Sequence, residues 1–126
     1  MKKIIVLLLI IMLLVIGCGK PSGVRSEIWN DAVELYQVID DAVQNNKDEI
    51  DDYNYHYKKI EKFKEMISNS GYYNLSKKEY YLCVDVYNLY KYFVDYKIEK
   101  AFNNTKKSLE QYQKYKQKLI EKYNFK

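Results

Sequence analysis

The chain of 126 residues carries one histidine and two cysteines, so the chemistry open to its side chains is narrow. His56 could serve as general acid, base or metal ligand. At helical spacing it falls between Tyr53, Ile60 and Phe63, where a hydrogen-bonded ring at the edge of a core fits its neighbours better. A di-metal carboxylate bundle needs Glu-x-x-His pairs from two helices, which one histidine cannot supply. There is no glycine-rich phosphate loop and no usable serine, histidine and aspartate order. Asp48, Glu49, Asp51 and Asp52, with Asp40 and Asp41 upstream, could in principle gather Ca²⁺, but the glycine and final glutamate of an EF-hand loop are missing. These acids read instead as a solvated helix start, where the helix dipole favours them. Cys83 stands in an apolar helical run and reads as a small buried hydrophobe rather than a reactive thiol. The chain is therefore expected to be no enzyme, with no metal and no cofactor.

What the chain has in excess is tyrosine, fifteen residues, many of them crowded between Tyr53 and Tyr96. Tyrosine offers a large rigid area with a polar tip, the property that enriches it at interfaces. In the segment after Ser76 the main apolar stripe is Cys83, Val86, Tyr87, Tyr90, Phe93, Val94 and Ala101. Leu82, Leu89 and Tyr96 form a second stripe about 100° away, and Tyr81 and Tyr92 lie nearly opposite the first. Either this helix is the most enclosed one, or its outer side is an interface. Burial suits the leucines and an interface suits Tyr81 and Tyr92, so the candidate surface is Tyr81, Tyr92, Leu89 and Tyr96. Lys107, Lys114 and Lys118 share the outer face of the last segment, where they either meet lipid headgroups and envelope phosphates or are simply solvated.

The N-terminus supplies an address. Met1-Lys2-Lys3 is followed by thirteen apolar residues, Ile4 to Ile16, and then Gly17-Cys18. A cationic start, a short apolar run and a small residue before the cut make a signal peptide. As a helix the run reaches roughly 20 Å, short of the roughly 30 Å of a hydrocarbon core, so a permanent membrane span is the weaker reading. Leu14-Val15-Ile16-Gly17-Cys18 resembles the lipobox of bacterial lipoproteins. That resemblance implies cleavage after Gly17, a diacylglyceryl group on Cys18, and a mature protein anchored by its acyl chains outside the cytoplasm. With Cys18 acylated, Cys83 has no disulfide partner.

The organisation expected is a signal peptide over 1–17, a lipidated cysteine and short tether over 18–26, and a helical domain over 27–126. Extended to Ser26, the tether would reach at most about 28 Å, and Lys20 and Arg25 could touch anionic headgroups. The fold class is all-α, a small antiparallel bundle. The first helix runs over roughly 25–45 on Ile28, Ala32, Leu35, Ile39 and Ala42, and the second runs to about Ser68 on Ile50, Tyr53, Tyr57, Ile60, Phe63 and Ile67. Ser76 and Glu79 form a capping box that starts the third. Asn103-Asn104 then either turns the chain into a fourth helix or lets one long last helix continue. Four is favoured, because an undivided helix of about 70 Å would leave half its apolar face bare.

Residues 27–52 hold nine acids against Lys47 alone, and residues 53–126 hold sixteen lysines against eight acids. In an up-down bundle the first and last helices are neighbours, so these fields would attract. The balance gives no reason to propose a nucleic-acid partner. The function expected is a lipid-anchored envelope protein that binds another protein through the aromatic side of its middle helices. The alternative is an envelope lipoprotein that holds a glycan or small molecule with its tyrosines.

Overall fold

The computed structural model describes residues 19–103 and 106–125; the expectations for residues 1–17 and for Cys18 lie outside them. Among the described residues there are four helices and no strand: α1 (Ser26–Gln44), α2 (Tyr53–Ser68), α3 (Lys77–Ala101) and α4 (Lys106–Tyr123). None is long and apolar enough to cross a membrane.

All five stripe residues of α1, from Ile28 to Ala42, are buried. Enclosing an aliphatic side chain of this kind stabilises the fold by about 1.5–3 kcal/mol, so Leu35→Ala would be a damaging single change. The helix stops where Asn46 turns to φ 52°, a left-handed conformation that asparagine tolerates. Asn46 N–H then donates to Val43 O and Lys47 N–H to Ala42 O, which satisfies two otherwise orphaned carbonyls.

The second helix begins later than its acids suggest. Ile50 is drawn into the core, and Asp52 takes a left-handed conformation without capping α2 through its side chain. The acids therefore stand in the loop before the helix instead of in its first turn, with Asp51 and Asp41 both bound to Lys47. The third start is as expected: Ser76 Oγ accepts from Glu79 N–H at 3.1 Å, and Ser76 N–H donates to Glu79 Oε1 at 2.9 Å.

Side-chain pairs fix the directions. Glu27 meets Lys62 and Asp31 meets Lys59, so α1 and α2 are antiparallel. Tyr92 stacks on Tyr115 while Asp85 holds Lys122, so the chain reverses between α3 and α4, and a single long last helix is excluded. Asp85 also accepts from the Tyr115 and Tyr123 hydroxyls, which makes it the polar junction of this pair.

The packing departs from a square bundle. α3 touches all three other helices, whereas no Cα of α1 comes within 8 Å of one in α4. The acidic face of α1 is answered mainly by Lys59 and Lys62 of α2; α4 contributes Lys116 and the Tyr112 hydroxyl to Asp40. The expected pairing of first and last helices therefore reduces to side chains at two places. The second is Phe125, which stacks on Trp29 at 5.3 Å and on Tyr36 at 4.8 Å.

The expected tether is not a free spacer. Val24 is buried, Lys78 donates to Ser22 O at 2.9 Å and Ser76 Oγ to Gly23 O at 2.8 Å. Gly23 has φ 85°, a left-handed conformation that a Cβ would strain. Arg25 completes the dock: its Nε donates to Glu79 Oε2 at 2.8 Å and its backbone N–H to the same oxygen at 3.0 Å. Burial would push the Glu79 carboxyl up, but the bonds from Arg25 and Ser76 outweigh it and hold it down at about 2.

Candidate functional site

The strongest candidate for a binding site is a groove between the start of α2 and the end of α3. Tyr53 and Tyr57 are one turn apart, the spacing that brings helical side chains together, and they stack at 5.2 Å with planes 17° apart. Tyr57 meets Tyr90 edge-on at 6.5 Å, and Tyr90 leans on Phe93 at 6.2 Å. Ile50, Tyr53, Tyr90, Val94, Lys97 and Ile98 line an open groove of about 410 Å³, with Asp48 and Glu49 on its rim. Here α3 runs out of cover: Ile98 is 53% exposed and Phe102, one turn on, 79%.

Lys97 gives the groove its chemistry. Its Nζ is enclosed and has no hydrogen-bond partner. It sits 5.8 Å from the Phe93 ring centroid and 5.5 Å from that of Tyr96, where ring faces partly offset its charge. Burial pulls its pKa below the usual lysine range and Lys100 adds to the shift, while Asp48 works against it. An ammonium without a hydrogen-bond partner, set in an aromatic wall, matches a ligand that brings apolar area and a carboxylate together.

The residues singled out on α3 are arranged differently from the expectation. Tyr81 is exposed, with Lys122 Nζ 5.5 Å from its ring centroid. Tyr92 is half-buried and stacks on Tyr115 at 4.9 Å. Tyr81, Asp85 and Tyr92 share one line of the helix, and that line faces α4, so the two tyrosines do not form an open surface. Leu89 and Tyr96 are buried, because a helix with three neighbours encloses both of its stripes; neither is available to a partner. Lys107, Lys114 and Lys118 are exposed on α4, while Lys116 between them turns in to Asp40.

His56 is buried at the edge of the core, with Nδ1 2.6 Å from Asp51 O and Nε2 3.1 Å from Glu34 Oε1. Lys59 bonds the same Glu34 and, with His56, holds its carboxyl below the usual range against the effect of burial. This imidazole is a strut between α1 and α2. Cys83 is buried, and burial pushes its thiol up to about 12, leaving little thiolate.

Sequence reasoning missed Ile98, Phe102 and Lys97. A signal for Ile98 was present, since at 100° per residue it lies opposite Leu89 and the two cannot face one core. Phe102 lies past the end of its helix, where periodicity carries no information. No known protein family, characterised protein or solved structure matches the chain.

Proposed function

We propose that the protein is a small lipid-anchored lipoprotein of the cell envelope, non-catalytic, that binds another protein through the groove between α2 and α3. The anchoring rests on Leu14-Val15-Ile16-Gly17-Cys18. The binding reading rests on one observation, the exposed aromatic and aliphatic groove around an unpaired Lys97. Its composition matches the centre of a protein interface, rich in aromatic residues with a polar rim. A partner segment with an apolar side chain beside an acidic group or a free carboxyl terminus fits it.

Crosslinking on intact cells tests the reading. Tyr53→Ser with Ile98→Ser should leave melting within about 1 kcal/mol of the parent, as exposed sites do, and should weaken capture by about 2 kcal/mol or more, as loss of aromatic anchors does. Unchanged crosslinks would sink the groove as the binding site. Cys18→Ser should leave the protein uncleaved or soluble; a cleaved variant that still fractionates with membranes would overturn lipid anchoring.

A further inference from the structure

At the end of the bundle opposite the groove lie the docked residues 19–25, the α2–α3 loop, the start of α3 and the end of α4. We propose that this end is a lipid-binding face that lies flat on an anionic phospholipid bilayer, with Tyr72 and Tyr81 in the headgroup layer and Lys77, Lys78 and Lys122 over lipid phosphates. The inference rests on the lipoprotein reading and adds to it an orientation and a second set of membrane contacts.

Three independent observations carry it. The first is chain length. Ser22 and Gly23 are tied to Lys78 and Ser76, and a Cβ placed on Gly19 would sit 3.9 Å from the Trp29 ring. Only Gly19, Lys20 and Pro21 separate Cys18 from Ser22, so the acylated residue is within about 14 Å of the docked chain even when fully extended. The anchor thus leaves the molecule at this end, and the domain can stand no more than about 14 Å from it.

The second is charge. Residues 20–30, 62–80 and 118–125, which build this end, carry eight lysines and arginines against four acids. Residues 38–56 and 93–110, which build the other end, carry nine acids against five lysines. An anionic leaflet attracts basic groups within a Debye length and repels acids, so it would select the basic end. Of the basic groups, Lys77 is exposed and carries no partner among the described residues.

The third is shape. Tyr72 is 86% exposed at the tip of the α2–α3 loop, the most exposed large apolar side chain described. Tyrosine is favoured at headgroup depth, where its ring is in the apolar boundary and its hydroxyl is wet. At the same end Pro21, Val24, Tyr81 and Tyr123 line an open groove of about 400 Å³ together with Lys77, Lys78 and Lys122. Apolar and cationic lining together match the junction of glycerol backbone and phosphate in a lipid.

The test uses the mature, lipidated protein in vesicles of phosphatidylglycerol and phosphatidylcholine that contain headgroup spin-labelled lipid. A fluorophore is attached through Tyr72→Cys in one preparation and Tyr55→Cys in another, and the mass of Cys18 is checked for its acyl groups. Quenching at position 72 well above that at 55 is expected. The equilibrium in favour of the flat orientation should weaken about five-fold for each lysine taken off the phosphates, so the ratio should fall in Lys77→Gln and further in pure phosphatidylcholine. Equal quenching at both positions, or more at 55, in a protein shown to be diacylated would overturn the orientation and leave the anchor standing. An unacylated Cys18 with no vesicle association would overturn both.

Discussion

Where residues 19–25 dock, the buried charge of Glu79 is met by the Arg25 guanidinium and by the amides of Arg25 and Ser76. At the other end the enclosed ammonium of Lys97 has no partner, and large apolar side chains stand in solvent around it. The buried carboxylate at one end is fully bonded, and the buried ammonium at the other has no hydrogen-bond partner. A satisfied buried charge contributes to a unique, stable geometry, whereas an unsatisfied one costs stability that a ligand can recover on binding. The contrast makes the Glu79 pair a source of stability and leaves Lys97 as the group that the proposed partner of the groove would satisfy.

Breaking the dock should have the largest effect. Arg25→Ala removes the guanidinium but leaves Glu79 enclosed, and about 2–3 kcal/mol should be lost in denaturant unfolding, less than for a fully buried pair because Arg25 is half in water. A loss below that of a typical surface substitution would mean the dock is ornamental. The same pair sets a pH response. The Glu79 carboxyl lies at about 2 in the fold against 4.5 ordinarily, so its contribution is complete above about pH 5 and fades as pH falls towards 2. Glu79→Gln should have a shallower acid limb in that window, and a limb as steep as the parent's would contradict the assignment.

An intermediate effect is expected on the face of α3 toward α4. Tyr92→Ser should cost about 1–2 kcal/mol by removing the ring that stacks on Tyr115, and Tyr81→Ser under about 1 kcal/mol. Equal melting temperatures for the two variants would return Tyr92 to the surface. The smallest change, opposite in sign, is at the groove: Lys97→Met removes the orphan ammonium and should stabilise the fold by up to about 1 kcal/mol while weakening capture of an acidic partner. Destabilisation there would show that Lys97 has a structural partner.

Much of this architecture is legible in the residues alone. The α1 stripe from Ile28 to Ala42 is strictly periodic, and the Ser76 and Glu79 box is local in sequence, so both can be read directly. The second role of Glu79 cannot, because Arg25 is 54 residues away. The enclosure of Leu89, Tyr96 and Tyr92 is ambiguous for a related reason: a helix's own periodicity reports how much of it is apolar, not how many neighbours it has. Lys97 illustrates the same limit at the candidate site, since only the finished packing decides whether a lysine nitrogen reaches water.

Phe125 also bears on the order in which the molecule is completed. Its ring closes over Trp29 and Tyr36, nearly a hundred residues earlier in the chain. Contacts of such separation form late, because the entropy of the closed loop must be lost before they contribute. Until residue 125 has been delivered, the aromatic side of α1 stays uncovered and open to holdases or aggregation. Without Phe125 that patch would stay exposed, so quality control acting on this protein would read residue 125.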